Sequence, residues 1–215
     1  MHVAELWRYP VKSMAGEGLT RAEFRDDGVV GDRLVHVRGA HGRVVTARTR
    51  PLLLGHRGTL GPDGEPLVDA RPWRDREVGR DIVAAAGPGA RLVRYEGVER
   101  FDVLPLLVAT DGAIQALGVD RRRLRPNIVI AGVPGLTERT WEGRQLRIGG
   151  AVIGVQSLRQ RCVMTTFDPD SLEQDVGVLR KINREFGGRV ALDSYVVTSG
   201  IVTLGDRVEL VGARE

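Results

Sequence analysis

The chain has 215 residues, 42% hydrophobic and 28% charged, with a formal net charge of +4, the profile of a globular protein with a packed core. No apolar run approaches the roughly 18 residues that a bilayer span needs, and the start MHVAELWRYP lacks the basic and apolar stretches of a signal peptide, so the chain reads as cytoplasmic with no membrane role. A single cysteine excludes an internal disulfide, and with His2, His36, His41 and His56 at no ligand spacing it also argues against zinc and iron–sulfur sites.

In chain order, short β-rich runs come first. VAELWRY, LTRAEF, RLVHVRG and RVVTAR are separated by Gly and Asp turns, the last two joined through Gly39 to Gly42, and they predict an antiparallel meander. TLGPDGEPLVDA predicts a hairpin turning at Pro62, Asp63 and Gly64, a helix follows over Arg76 to Ala86, and RLVRY predicts a strand after it. From Phe101 onward the pattern mixes: an apolar strand PLLVAT, a short helix DGAIQALG capped by its aspartate, and a buried strand PNIVIAG. RQLRIGGAVIGVQS predicts a hairpin at Gly149 and Gly150. Val176, Leu179, Ile182 and Phe186 fall at helical spacing before the stop at Gly187 and Gly188, and strands SYVVT and DRVELV close the chain. The result is a mainly β fold with helices, of the α+β class, in two closely packed β-rich halves.

Four short segments carry candidate chemistry. Lys12 and Ser13 in YPVKS place an ammonium beside a hydroxyl in a turn followed by glycines, which suits a phosphate and equally an exposed loop lysine. Arg33 follows a Gly-Asp turn, where it can reach an anion or pair with Asp32. In LRPNIVI, Pro126 keeps Arg125 extended and brings it beside Asn127. Cys162 follows Arg161, and a neighbouring guanidinium favours the thiolate that binds soft metals or attacks electrophiles, although a lone cysteine also serves as a small core residue. The basic excess is almost all arginine, Lys12 and Lys181 being the two lysines among 32 basic residues. The densest cluster, Arg121 to Arg125, has no aromatic neighbours for base stacking, which argues against nucleic acid.

Taken in order, YPVKS, GDR, RPNIVI and the Arg-Cys pair followed by TT and DPD resemble the MOSC family, which includes molybdenum cofactor sulfurase C-terminal domains and the amidoxime-reducing component. The resemblance implies a β-barrel-like N-terminal region over residues 1–98 and a MOSC domain over 99–215. It implies that Lys12, Ser13 and Arg33 grip the phosphate of a molybdenum cofactor, that Arg125, Asn127 and Arg161 line it, and that Cys162 ligates the metal. Gln160, where many relatives carry a small residue, and Asp111-Gly112 at the start of the short helix depart from the family pattern.

The function implied is a molybdenum-dependent reductase of N-oxygenated small molecules. Electrons come from a separate flavin, cytochrome or iron–sulfur partner, because one cysteine cannot hold a cluster. Two other readings fit the same residues: a sulfur carrier with a persulfide on Cys162, and a cofactor-binding module without turnover.

Overall fold

The computed structural model describes residues 1–95 and 100–212, and the expected division between residues 98 and 99 lies outside them. The first strand, β1 (His2–Arg8), inserts Val3 and Leu6 into the main core and pairs with β2 (Glu17–Leu19). Strands β3 (Arg21–Arg25) and β4 (Gly28–Val29) form a hairpin, as do β5 (Val35–Arg38) and β6 (Val44–Val45) with register Val37↔Val45. A small meander follows in β7 (Gly58–Leu60), β8 (Pro66–Val68) and β9 (Arg71–Pro72), with the expected Pro-Asp-Gly turn between the first two.

Helix α1 (Arg76–Ala86) starts where the Asp75 carboxylate accepts the Glu77 N–H at 2.7 Å, and it buries Val78 and Ile82. It leads into β10 (Arg91–Arg94), which pairs with β5.

Next come β11 (Leu106–Thr110), buried at every position, and α2 (Asp111–Leu117). The cap of α2 differs from the expected aspartate. Extended Thr110 accepts the Ala113 N–H through its hydroxyl, while Asp111 lies inside the helix and its carboxylate binds the N–H groups of Gly112, Gly132 and Val133. A β-branched hydroxyl residue can end a strand and cap a helix at once, which frees Asp111 to anchor the distant loop.

Strand β12 (Ile128–Ala131) returns parallel to β11, and the crossover carries α2. A tight hairpin joins β13 (Gln145–Ile148) to β14 (Ala151–Gln160). Gly149 turns it at φ 53°, where a Cβ would also meet Asp206 Oδ2 at 2.3 Å.

Helix α3 (Val176–Phe186) runs from an Asp175 cap to left-handed Gly187, the stop that the glycine pair predicts. Its buried seam is Val178, Ile182 and Phe186, however, and Val176 is 46% exposed. Both sets have helical spacing, and only the packing partners Leu117 and Leu124 decide which face turns inward. Strands β15 (Arg189–Thr198), β16 (Gly200–Thr203) and β17 (Val208–Val211) complete the fold.

The principal sheet has eight strands in the order β17-β13-β14-β15-β11-β12-β1-β2, and β3 pairs with β16 and β4 in a smaller sheet. The early strands therefore do not form one meander. Their antiparallel pairs are shared among several sheets, because β1 and β3 find partners far along the chain, in β12 and β16. The architecture is strand-rich and mixed α+β.

Three apolar cores result: one under the principal sheet, one around β5, α1 and Met14, and one beneath α2 and α3. Phe167, Val163 and Met164 pack against the second core from the turn that follows Cys162. That turn pins the cysteine between the principal sheet and the N-terminal region. No helix among the described residues is long and apolar enough to cross a membrane.

Candidate functional site

Cys162 ends the extended segment after β14 and opens a 3-10 turn over Val163–Thr166. Its carbonyl accepts the Thr165 N–H at 3.1 Å and the Thr165 hydroxyl at 2.9 Å, and Thr166 repeats the motif on Val163 at 2.7 Å. Thr166 is then tied to Gln174 and to the Asp175 N–H, while Arg123 binds the Thr166 carbonyl at 2.8 Å and Asp168 at 2.9 Å. The two threonines and the DPD turn thus hold the cysteine's backbone, leaving its half-buried thiol toward a cavity of about 400 Å³.

Arg33, Arg125, Asn127 and Arg161 line that cavity with Cys162. Lys12 and Ser13 do not. The Lys12 ammonium is spent on Asp102 at 2.9 Å and the Arg100 carbonyl at 3.1 Å, and Ser13 Oγ accepts the Ala47 N–H at 3.0 Å. Their contribution is indirect, through Asp102, which does line the cavity. Asn127 likewise spends its amide on the frame: Oδ1 accepts the Leu107 N–H at 3.1 Å, and Nδ2 faces the Trp7 carbonyl and Asp32 at 3.4 Å.

Arg33 pairs with fully buried Asp32, and its guanidinium lies between the rings of Tyr9 and Phe101, 5.6 Å from each. Asp32 also accepts the Tyr9 N–H at 2.7 Å, which fixes the first motif to the second. Ser13, Arg33 and Arg125 all adopt left-handed backbone, with φ of 72°, 51° and 57°. Each non-glycine residue there costs roughly 1–2 kcal/mol, a strain that surrounding structure must impose.

Arg125 and Arg161 are the unusual charges. Among the described residues neither has a carboxylate partner, and Arg161 Nε is buried without any acceptor. Arg161 donates once, to the Leu124 carbonyl at 2.7 Å. Burial, helped by neighbouring Arg159, pushes its pKa down to about 10, and burial also lowers that of Arg125, with Arg33 adding to the effect. Both remain cations at neutral pH, so the cavity wall holds uncompensated positive charge that attracts an anion.

Arg48, Asp102, Arg159 and Asp193 also line the cavity. Asp102 takes Lys12 on one oxygen and Arg48 on the other at 2.6 Å. Burial opposes its ionisation, but Lys12, Arg48 and Arg159 outweigh that and hold it below the usual carboxylate range. Arg48 is desolvated, yet hydrogen bonding to Cys162 and the Asp102 charge keep its pKa above the ordinary arginine value. Arg159 pairs with Asp193 at 2.6 Å, a carboxyl that burial pushes up. Sequence reasoning passes over these residues because isolated charges in turns and strands look like a solvated face. The one signal is the alternation Arg159, Arg161 before Cys162, which puts both guanidinium groups on one side of an extended segment.

Comparisons with known proteins identify the family. A model of the MOSC domain matches residues 108–209, and a model of the MOSC N-terminal beta barrel domain matches residues 1–79. The chain is 28% identical over 227 residues to mitochondrial amidoxime reducing component 2 of Macaca fascicularis, covering 79% of this chain and 67% of that protein. It is 36% identical over 78 residues to molybdenum cofactor sulfurase of Anopheles gambiae, covering 36% of this chain and 10% of that one. The crystal structure of the YUAD protein from Bacillus subtilis shares the fold, with a TM-score of 0.52 at 15% identity over 99% of this chain and 96% of that one. The chain belongs to the MOSC domain family, a family associated with the molybdenum cofactor.

Proposed function

We propose that the arginine-lined cavity holds a molybdenum cofactor with Cys162 as its protein ligand, and that the protein reduces N-oxygenated small molecules with electrons from a separate redox partner. The observation that carries this reading is the meeting of a thiol with two carboxylate-free guanidinium groups, Arg125 and Arg161, in one cavity. A soft thiolate suits molybdenum, and half-buried guanidinium groups without a carboxylate partner suit a phosphate. Among the described residues no group of three His, Cys, Asp or Glu side chains is gathered for a bare metal ion. The donor set therefore fits a metal that arrives with its other ligands attached.

Bound there, the cofactor would supply two-electron chemistry suited to removing an oxygen atom from nitrogen. The chain's own residues would hold and orient it: Arg125 and Arg161 by pairing with the phosphate, and Cys162 by its sulfur. Arg48, anchored on Asp102 and lining the same cavity, would add a positive charge beside that sulfur. Similarity to an amidoxime reducing component supports the reductase reading, and a half-exposed cysteine leaves the reacting face open to small molecules.

The test is reduction of a hydroxylamine to its amine by dithionite-reduced, molybdenum-loaded protein. The reading expects turnover that is lost in Cys162→Ala. Full turnover in that variant, or none in the loaded wild type, contradicts it.

A further inference from the structure

A second cavity, of about 360 Å³, lies behind the first, and Arg123, Arg125 and Met164 line both, forming the partition between them. Its walls are apolar and aromatic: Trp7, Tyr9, Leu54, Phe167 and Pro169 face it with Met164. Four arginines also reach it, and they divide sharply by partner. Arg122 is clamped by Asp120 and Asp170 at 2.7 and 2.6 Å, and Arg123 by Asp168 at 2.9 Å. Among the described residues Arg57 and Arg125 have no carboxylate partner, and Arg125 rests on the Tyr9 ring at 4.4 Å.

An apolar box with three aromatic rings and two uncompensated guanidinium groups has a definite complement. The rings favour a flat hydrophobic body by offset stacking, and the guanidinium groups favour a carboxylate by charge-assisted hydrogen bonds. The geometry points to a binding site for flat aromatic carboxylates in this second cavity, with the ring against Trp7 and Phe167 and the carboxylate on Arg125 and Arg57. The site shares Arg125 with the proposed cofactor site but requires neither metal nor Cys162, so the metal-free chain tests it separately from the reductase reading.

Calorimetric titration of the purified chain with naphthoate, against naphthalenemethanol as a neutral ligand of the same shape, tests it. Naphthoate binds, and the alcohol binds about tenfold more weakly or less, the worth of a charge-assisted pair. Ala15→Leu places a larger side chain in the cavity and abolishes naphthoate binding. Arg57→Gln, an exposed position outside the cysteine cavity, weakens naphthoate binding several-fold without affecting the alcohol and decides the matter if Ala15→Leu does not fold. Absence of naphthoate binding, equal binding of the two ligands, or unchanged naphthoate binding in a folded variant overturns the assignment.

Discussion

The guanidinium of Arg125 lies 4.4 Å from the centroid of the Tyr9 ring, and Tyr9 in turn donates its hydroxyl to the Pro126 carbonyl at 3.1 Å. The first motif of the chain thereby holds the third in place, and the charge it holds is one that a stability-optimised core would not keep. A cation–π contact is worth about 0.5–2 kcal/mol, less than the partial desolvation cost of a half-buried cation with no carboxylate partner.

Arg125→Met should therefore stabilise the metal-free protein while harming anion binding. Relief of about 1–2 kcal/mol would raise the melting temperature by roughly 2–8 °C in a domain of this size. The dissociation constant for inorganic pyrophosphate should rise about tenfold or more, the loss of a charge-assisted hydrogen bond. A lower melting temperature, or unchanged pyrophosphate binding, would show that Arg125 is an ordinary structural residue.

His36 makes a prediction about pH. It is 1% exposed, its Nε2 accepts from Arg38 at 3.0 Å, its Nδ1 has no hydrogen-bond partner among the described residues, and its ring meets that of Tyr95 at a tilt of 34°, with centroids 3.9 Å apart. Burial, reinforced by the charges of Arg38 and Lys12, pushes its pKa down from 6.5 to about 4. The folded state thus refuses a proton that the unfolded chain accepts, so stability is full above pH 6.5 and is lost as pH falls toward 4. The loss is on the order of 3 kcal/mol. Urea denaturation across that window should show it, and His36→Gln should flatten the slope there. A wild-type slope that persists in the variant would assign the dependence to other groups.

Helix α3 separates what periodicity reveals from what packing decides. Ile182→Ala, at a fully buried position, should cost about 2–5 kcal/mol. Val178→Ala, 4% exposed, should cost more than Val176→Ala, 46% exposed, which should change stability by less than about 0.5 kcal/mol. Equal costs at Val176 and Val178 would mean that the helix is rotated from the face described.

Local chemistry made much of this fold legible. Gly187 marks the end of α3, Gly149 marks its hairpin, and Pro62, Asp63 and Gly64 mark the turn between β7 and β8, because stops and turns depend on neighbours in sequence. The partnership of β1 with β12 and the parallel run of β11 beside β12 were not legible, since strand pairing is set by which apolar faces meet across the chain. The site divides the same way. Cys162, Arg125 and Arg161 announce themselves by motif, whereas Arg48 and Asp102 gain meaning only when the fold brings them from separate segments to the cysteine. Lys12 and Asn127 show the converse: the motif marks them, and the structure spends their polar atoms on holding others.

The central claim is that Cys162 and the unpaired arginines form a molybdenum cofactor site. Molybdenum and pterin content of the freshly purified chain, wild type against Cys162→Ala, tests it most directly. The account predicts equal amounts of the two in the wild type and loss of the metal in the folded variant. Cyanide-labile sulfur on Cys162 with neither molybdenum nor pterin present would contradict it and make the protein a sulfur carrier.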